Sequence, residues 1–548
     1  MSKSIKPRLA YLFSRYPVVS QTFVDNEILG LEEAGWEVVI GSFSTPKDEF
    51  RHPRLNALKA PVLYPPPPEV LKAMERHSKD VGTWPTDLIA EHEEIFGADS
   101  NIGIRCRNAL GLAERLKALE VDHVHLHFAN RATHTAIFLK ALSGIPFSFT
   151  PQGQDFLVDT RQDMLAEYCR EAKFVVAPCE YARDRLAELC PDSVDKFVVI
   201  YNGVDPSAYE IAKPAPKEDC LRISSVGRLI EFKGFHHLIP AIGIAKKAGV
   251  RVELELGGDG PWREQLEKQA KDLGLDDQIY FLGTISLDEM KSGFLCADAF
   301  VLASITDEKG AADMFPTVIT EAMFSGLPIV STRLVGIPEQ VEEGITGLLT
   351  DQGDESALAE ALIKLAREPG LAAKMGAAGR ERALARFDRA VTREKIGVEF
   401  QNTPGSHKTH PQAELVRFYD WDEPGGIEKF RAELDSGGAV WVAAGSIEKS
   451  ELDRSAAAGE FEGVNWLADG MVLEMEWRSS EPERVLLTEM RSDFGDVDGE
   501  DYFKAARRAV WLATAIERRG GASKIEGAGD SEKLVARLIE AVFTLRGA

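Results

Sequence analysis

Apolar residues gather in short runs at Leu9–Phe13, Val38–Phe43, Val121–Phe128, Phe147–Thr150, Phe174–Ala177 and Phe197–Ile200. Between several of these, apolar positions recur at spacings of three to four, as at Val24, Ile28 and Leu31, and again at Leu112, Leu116 and Leu119. Runs of the first kind predict strands and spacings of the second kind predict helices. Their alternation predicts a parallel sheet covered on both faces. An insert between about Ser44 and Gly103, with four consecutive prolines at Pro65–Pro68, breaks the alternation. It reads as an irregular surface excursion rather than a lid over the acceptor side.

A second series follows from about Pro206 to Pro369, with strands predicted at Arg222–Val226, Val252–Leu256, Ile279–Leu282, Ala299–Leu302 and Pro328–Ser331. Two such units in tandem enclose a cleft between the carboxyl ends of two sheets, where ligands of these folds bind. From Leu371 to Phe400 the pattern is helical, closing the second unit and crossing back to the first. The segment Thr403–Gln412 (TPGSHKTHPQ) reads as a linker. Beyond it, an acidic tail from Ala413 to Ala548 has one predicted strand, Ala439–Ala444, and two amphipathic helices, Tyr502–Arg519 and Ser531–Leu545. The helix–strand–helix layout of the tail's end echoes the stretch from Gly111 to Ser143, either as a degenerate repeat or through shared α/β patterning. Nothing in the tail points to chemistry.

Composition narrows the function classes. A chain of 548 residues is too long for one core. Its formal charge of −24 offers no basic excess to neutralise a nucleic-acid backbone, though a local pocket for one diphosphate remains compatible with it. Six cysteines are scattered without a CxxC pair, which argues against a disulfide framework or a zinc site and for a reducing cytoplasm. The opening residues lack a secretory pattern, and no run of about 18 apolar residues appears. The expected location is therefore cytoplasmic, with room for peripheral contact at the inner face of the membrane.

The segment Asp313–Glu321 (DMFPTVITE) carries the most chemistry. Its two carboxylates stand eight positions apart around Pro316, a residue suited to the first position of a helix. A helix over Pro316–Phe324 presents unpaired backbone N–H groups and a partial positive charge, both favouring phosphate. Acids at either end of that turn suit a sugar and a ribose, so the segment reads as a site for a sugar nucleotide. Earlier, SVGRLIEFKG (Ser225–Gly234) ends a strand at Val226, turns at Gly227, and projects Arg228 and Lys233 five positions apart. A guanidinium fork and a mobile ammonium make a good clamp for a departing diphosphate. Gly257-Gly258-Asp259-Gly260-Pro261 is a Gly-rich turn placed by the same logic near the same edge. His123, His125 and His127 alternate along one strand and so share a face. Packed or cleft-lining histidines are the favoured reading there, over a three-imidazole metal site.

Taken in order, SVGRLIEFKG, LELGGDGPW, VIYNGVD (Val199–Asp205) and the paired acids followed by EAMFSGLPIV resemble the retaining, nucleotide-sugar-dependent glycosyltransferases of family 4. The resemblance covers about residues 5–400. The opening Tyr11–Val38 is similar to the exopolysaccharide and colanic-acid branch, with a polar SRYP–SQTFV loop where other members have glycines. It implies a GT-B fold: α/β, with two facing Rossmann-like domains. Residues 1–205 would form the acceptor domain and 206–400 the nucleotide-sugar donor domain, followed by an accessory α/β domain at 413–548. By the same resemblance, Gly227, Arg228 and Lys233 would contact the donor phosphates, backbone at Pro316 and Thr317 would cradle the diphosphate, and Glu321 would hold the ribose. Asp313 would bind sugar hydroxyls together with Gln152, while Ser20, Thr22, His127 and Asp155 would line the acceptor side of the cleft. Two positions depart from the family pattern: Asp313 stands where Glu is usual, and Gln152, in FSFTPQGQDF, where His is common. Gln donates and accepts hydrogen bonds but does not titrate near neutrality. Front-face attack, with the leaving phosphate taking the acceptor proton, tolerates that change.

The expected function is thus retaining transfer of a sugar from a nucleotide-diphosphate donor to a glycan or lipid-linked acceptor, in cell-surface polysaccharide synthesis, with no cofactor and no metal. The tail is a candidate surface for a protein partner, and no nucleic-acid partner is expected. Two rivals stand beside it: another enzyme on the same fold, such as an epimerase or phosphorylase, and a catalytically weak or inactive protein that binds the sugar nucleotide as a scaffold.

Overall fold

The structure, a computed structural model, describes residues 6–402 apart from 19–20, 45–56, 61, 66–67, 98–99 and 213–219, together with strands at 417–420, 441–444, 461–467, 472–477 and 485–488. The first sheet is built from β1 (Leu9–Phe13), β2 (Val38–Ser42), β3 (Val62–Leu63), β4 (His123–His127), β5 (Phe147–Thr150), β6 (Val175–Ala177) and β7 (Phe197–Val199). Its strand order is β3-β2-β1-β4-β5-β6-β7, with every neighbouring pair parallel. The second contains β8 (Cys220–Val226), β9 (Arg251–Gly257), β10 (Ile279–Gly283), β11 (Ala299–Leu302), β12 (Ile329–Thr332) and β13 (Gly347–Thr350). Its order is β10-β9-β8-β11-β12-β13, again all parallel. Helices cover both faces, which is why strands such as LAYLF and AFVL are buried along their whole length.

Each sheet runs outward from its first strand and then returns to that strand's other side, so the order reverses between β1 and β4 and between β8 and β11. Reversal splays the connecting loops apart and opens a crevice beyond the carboxyl ends of the strands. The segments after Phe13, His127, Val226 and Leu302 are thereby placed at the two crevices.

The expected strands appear within a few residues of their predicted ends. Two were not anticipated: β3 is only two residues long, and β13 reads GLLT, too short for its pattern to stand out. The insert is a correction. It contains helices at Pro68–Asp80 and Thr86–Phe96 and leads into Ile102–Ala118. Pro68 opens the first of these helices and Pro85 precedes the second, positions at which a missing N–H costs no hydrogen bond.

The C-terminal helices do cross back. Pro369–Arg386 packs on the second unit, while Arg389–Gln401 lies against the Thr22–Glu33 helix of the first. Ile396 and Phe400 complete an apolar cluster with Tyr11, Trp36, Ile40 and Phe174. Arg389 joins Glu33 at 2.9 Å and Asp205 at 3.0 Å. In the tail, β14 (Arg417–Asp420) pairs in parallel with β15 (Trp441–Ala444), within the predicted Ala439–Ala444. The strands β16 (Phe461–Leu467), β17 (Val472–Trp477) and β18 (Val485–Thr488) form an antiparallel sheet. The tail helices expected at Tyr502–Arg519 and Ser531–Leu545 lie outside the described residues.

Candidate active site

After β8 the chain turns at Gly227, whose N–H donates to Gly257 O at 3.0 Å, and Leu229 N–H donates to Asp259 O at 2.9 Å. The Gly-rich turn after β9 is therefore packed directly on the GRL turn. Gly258 has φ +130°, and a Cβ there would collide with the Gly227 carbonyl oxygen. Arg228 is exposed, and its side chain makes no hydrogen bond or ion pair among the described residues. Lys233 sits on a single turn, Glu231–Lys233, and its stem passes 3.4 Å from where a Gly227 Cβ would stand. Its ammonium pairs with the Asp313 carboxylate, the two side chains being 14% and 17% exposed. Lysine and acid thus meet, although 80 residues separate them in sequence.

Asp313 lies on the loop that leaves β11. Asp307 orders that loop by accepting N–H bonds from Lys309 at 2.9 Å and Ala311 at 2.8 Å. The following helix is Thr317–Phe324, with Pro316 as its extended N-cap rather than its first helical residue. No side chain caps this end. Gln340 Nε2 donates to Pro316 O at 3.1 Å and to Thr320 Oγ1 at 2.9 Å, fixing the helix start from behind. Thr317 is half-buried, and Glu321, one turn along, is 8% exposed.

The first domain meets this loop through Gly153. Its φ of +143° suits only glycine, and a Cβ there would stand 3.3 Å from Met314 Cβ and 3.4 Å from Ala312 O. The Gln152–Gly153 turn is thereby laid against residues 312–314, beside Asp313 and Lys233. Met314 O also accepts the Gly336 N–H at 3.1 Å and faces Cys179 Sγ at 3.8 Å. Across the same interface, Glu339 takes the N–H groups of Glu180 (2.8 Å) and Tyr181 (3.0 Å), at the start of the Glu180–Leu189 helix.

Asp155 is not a cleft residue. It is buried, and its carboxylate accepts N–H bonds from Ala129 at 2.6 Å, Gln152 at 3.0 Å and Gly153 at 2.7 Å, tying the loops after β4 and β5 together. Burial raises its pKa, and those N–H bonds pull it back. His127 is also buried, behind Gln152: its Nδ1 lies 3.1 Å from Gln152 Nε2 and its Nε2 3.3 Å from Glu27 Oε1. Asn202, from the VIYNGVD segment, donates to Gln152 Oε1 at 3.2 Å. Ser20 lies outside the described residues; Thr22 opens the helix Thr22–Glu33, and its side chain is not described.

The three alternating histidines do share a face of β4. Ser148 Oγ sits 2.7 Å from His123 Nε2 and 2.8 Å from His125 Nδ1, and Thr150 Oγ1 is 3.1 Å from His125 Nε2. Burial, with Lys173 adding to it, holds His123 neutral down to about 3. Burial also lowers the pKa of His125 well below the ordinary value, helped by His127 and His123. Glu27, His125 and His127 bring one oxygen and two nitrogens within 4.8 Å of one another, compact enough for a cation. Hydrogen bonds to Ser148, Thr150, Gln152 and Glu27 already occupy those ring nitrogens.

Of the residues singled out from sequence, the fold brings Gly227, Lys233, Asp313, Pro316 and the Gln152 turn together, with Arg228 exposed on the same turn as Gly227. Sequence reasoning missed Glu27, Asn202, Met314 and Glu339. Asn202 stood inside a quoted motif, whereas Glu27 looked like any polar residue on an amphipathic helix.

Two family models match in succession: "Glycosyltransferase Family 4" over residues 20–208 and "Glycosyl transferases group 1" over 208–382. The chain is 27% identical over 376 residues to the amylovoran biosynthesis glycosyltransferase AmsK of Erwinia amylovora, covering 66% of this chain and 91% of that protein. It is 28% identical over 374 residues to the putative colanic acid biosynthesis glycosyltransferase WcaL of Escherichia coli K12, covering 65% and 89%. The crystal structure of Anabaena HepE in complex with UDP and glucose superposes with a TM-score of 0.54 at 20% identity, over 72% of this chain and all of that one (100%). At that identity the superposition speaks for the fold.

Proposed function

Because the chain belongs to glycosyltransferase family 4 and has the GT-B fold, we propose that it transfers a sugar, with retention, from a nucleotide-diphosphate donor to a glycan or lipid-linked acceptor in cell-surface polysaccharide synthesis. The observation that carries the site assignment is the Lys233–Asp313 pair lying beside the Gln152–Gly153 turn of the facing domain.

In this reading the donor diphosphate lies between Lys233, Arg228 and the uncapped N–H groups at Thr317, with charge neutralised from two sides. Asp313 and Gln152 hold the transferred sugar, and Glu321 the ribose. As the anomeric carbon–oxygen bond to phosphate breaks, negative charge grows on the diphosphate. Fixed cations and N–H dipoles stabilise it there without reorganising. The acceptor hydroxyl oxygen attacks from the side of the departing phosphate, its proton passes to a phosphate oxygen, and the nucleoside diphosphate leaves. No side-chain base is needed, so glutamine at position 152 is compatible with turnover. The cationic pair supplies the neutralisation, and no metal is invoked in this scheme; undiminished turnover in excess chelator is the expected result. No feature of the site favours the scaffold alternative over transfer. No helix among the described residues is long and apolar enough to cross a membrane.

The test is a panel of nucleotide sugars with the full-length protein, read by product mass and by the anomeric configuration of the product. A nucleoside diphosphate and a glycoside with the donor's own anomeric configuration are expected. Failure of every donor nucleotide to bind would overturn the assignment.

A further inference from the structure

Gln152 sits in a chain of hydrogen bonds whose direction is set at its far end. Tyr11 Oη donates to Glu27 Oε1 at 2.6 Å, and the same oxygen lies 3.3 Å from His127 Nε2. A carboxylate only accepts, so in the neutral imidazole the contact with Glu27 places the His127 proton on Nε2 and leaves Nδ1 as a bare lone pair. Facing that lone pair at 3.1 Å is the Gln152 amide. Only its nitrogen can be there, because the carbonyl oxygen would oppose lone pair to lone pair. The oxygen is then directed to Asn202 Nδ2 at 3.2 Å. One Gln152 N–H remains unused by this chain of contacts. It belongs to the turn laid against residues 312–314, beside Asp313 and Lys233.

We infer that Glu27 and His127 are positioning residues which fix the polarity of the Gln152 amide, so that it offers the donor sugar an N–H rather than a carbonyl oxygen. The inference rests on the site reading above. A glutamine amide has two nearly isosteric orientations, and they hold a sugar hydroxyl in opposite senses, one donating to its oxygen and the other accepting its hydrogen. Glu27 selects that orientation from two residues away, and the rings of Tyr11, Phe23 and His125 around His127 keep the imidazole from turning. Asn202, whose Nδ2 lies 3.2 Å from Gln152 Oε1, can donate to the carbonyl oxygen in that orientation.

The experiment uses the full-length protein with Glu27→Gln, His127→Asn and the double variant. Glu27→Gln can present an N–H to His127, which moves the imidazole proton to Nδ1 and turns the Gln152 amide over. His127→Asn places a fixed carbonyl acceptor near the position of Nδ1, making the orientation independent of Glu27. Glu27→Gln is expected to lower kcat about 10- to 100-fold with donor KM within about twofold. In the His127→Asn background the same change is expected to cost less than about twofold. An equal cost in both backgrounds, or a loss that appears only in KM or only in step with thermal stability, overturns the proposal. Long-range nitrogen–proton spectra of labelled imidazole give a readout independent of turnover: His127 is expected as the Nε2–H tautomer, shifting in Glu27→Gln. A wild-type Nδ1–H tautomer also overturns the proposal. An Nε2–H tautomer in a protein that transfers no sugar instead overturns the functional reading and leaves the polarity chain standing.

Discussion

Lys233 and Asp313 satisfy each other, each mostly buried, so the cation that would meet a diphosphate is held in place beforehand by the acid that would meet the sugar. Pre-placement of this kind removes the cost of gathering a long side chain during reaction. Lys233→Met keeps the stem beside Gly227 and removes the charge. It is expected to lower kcat/KM about 100- to 1,000-fold, measured with saturating acceptor. Gly153 is constrained twice, by its φ of +143° and by Met314 across the interface. Gly153→Ala is expected to cost about 1–3 kcal/mol in the thermal unfolding of the full chain, and to weaken donor binding because the Gln152 turn must back away from Asp313. Lys233 was legible in sequence because it stood in a recognisable motif, whereas the constraint on Gly153 appears only with Met314 opposite it.

At the level of elements, the helix Arg389–Gln401 belongs by sequence to the second unit and by packing to the first. Phe400 is fully buried, its ring 5.9 Å from that of Trp36 and of Phe174 and 5.5 Å from that of His123. Truncation by Phe400→Ala is expected to cost about 3–5 kcal/mol, as for large aromatic residues in closed cores. Calorimetry is the measurement, and part of the loss should appear as a separate, earlier transition of the first domain. The periodicity of this helix was readable, and so was its return across the molecule. Its role as a wall of the His123–Phe174 cluster was not, because a 3.6-residue repeat shows that a helix has an apolar face without saying what the face meets. The insert was misread for a related reason. Its prolines mark helix starts, which look like breaks when no partner is in view.

Across the whole molecule, acid should be a destabilising agent with a defined window. Burial, seconded by Lys173, holds His123 to about 3 against an ordinary 6.5, and burial with Arg105 and His92 does the same for His134. The unfolded chain takes up protons at these positions as pH falls through about 6.5, while the folded chain does not until about 3. Their contribution is therefore intact above the ordinary value and drains away below it, at up to about 1.4 kcal/mol per pH unit for each histidine. His125, also depressed, adds in the same direction, and Asp155, raised by burial, works against it at lower pH. Urea midpoints measured from pH 7 to pH 4 are expected to fall steadily, and His123→Asn should flatten the slope. Sequence by itself determined the alternation of strands and helices, the two parallel sheets and the Gly-containing turns that follow Val226 and Gly257. Those depend on local periodicity, on the stereochemistry of glycine and proline, and on charge at fixed spacing. Tertiary structure alone decided that Lys233 closes on Asp313, that Asp155 is a buried tie rather than a cleft acid, and that Glu27 reaches Gln152 through His127. Each of those facts depends on which loops, helices and strands the fold brings face to face, and such long-range pairings leave no trace in the spacing of neighbours along the chain.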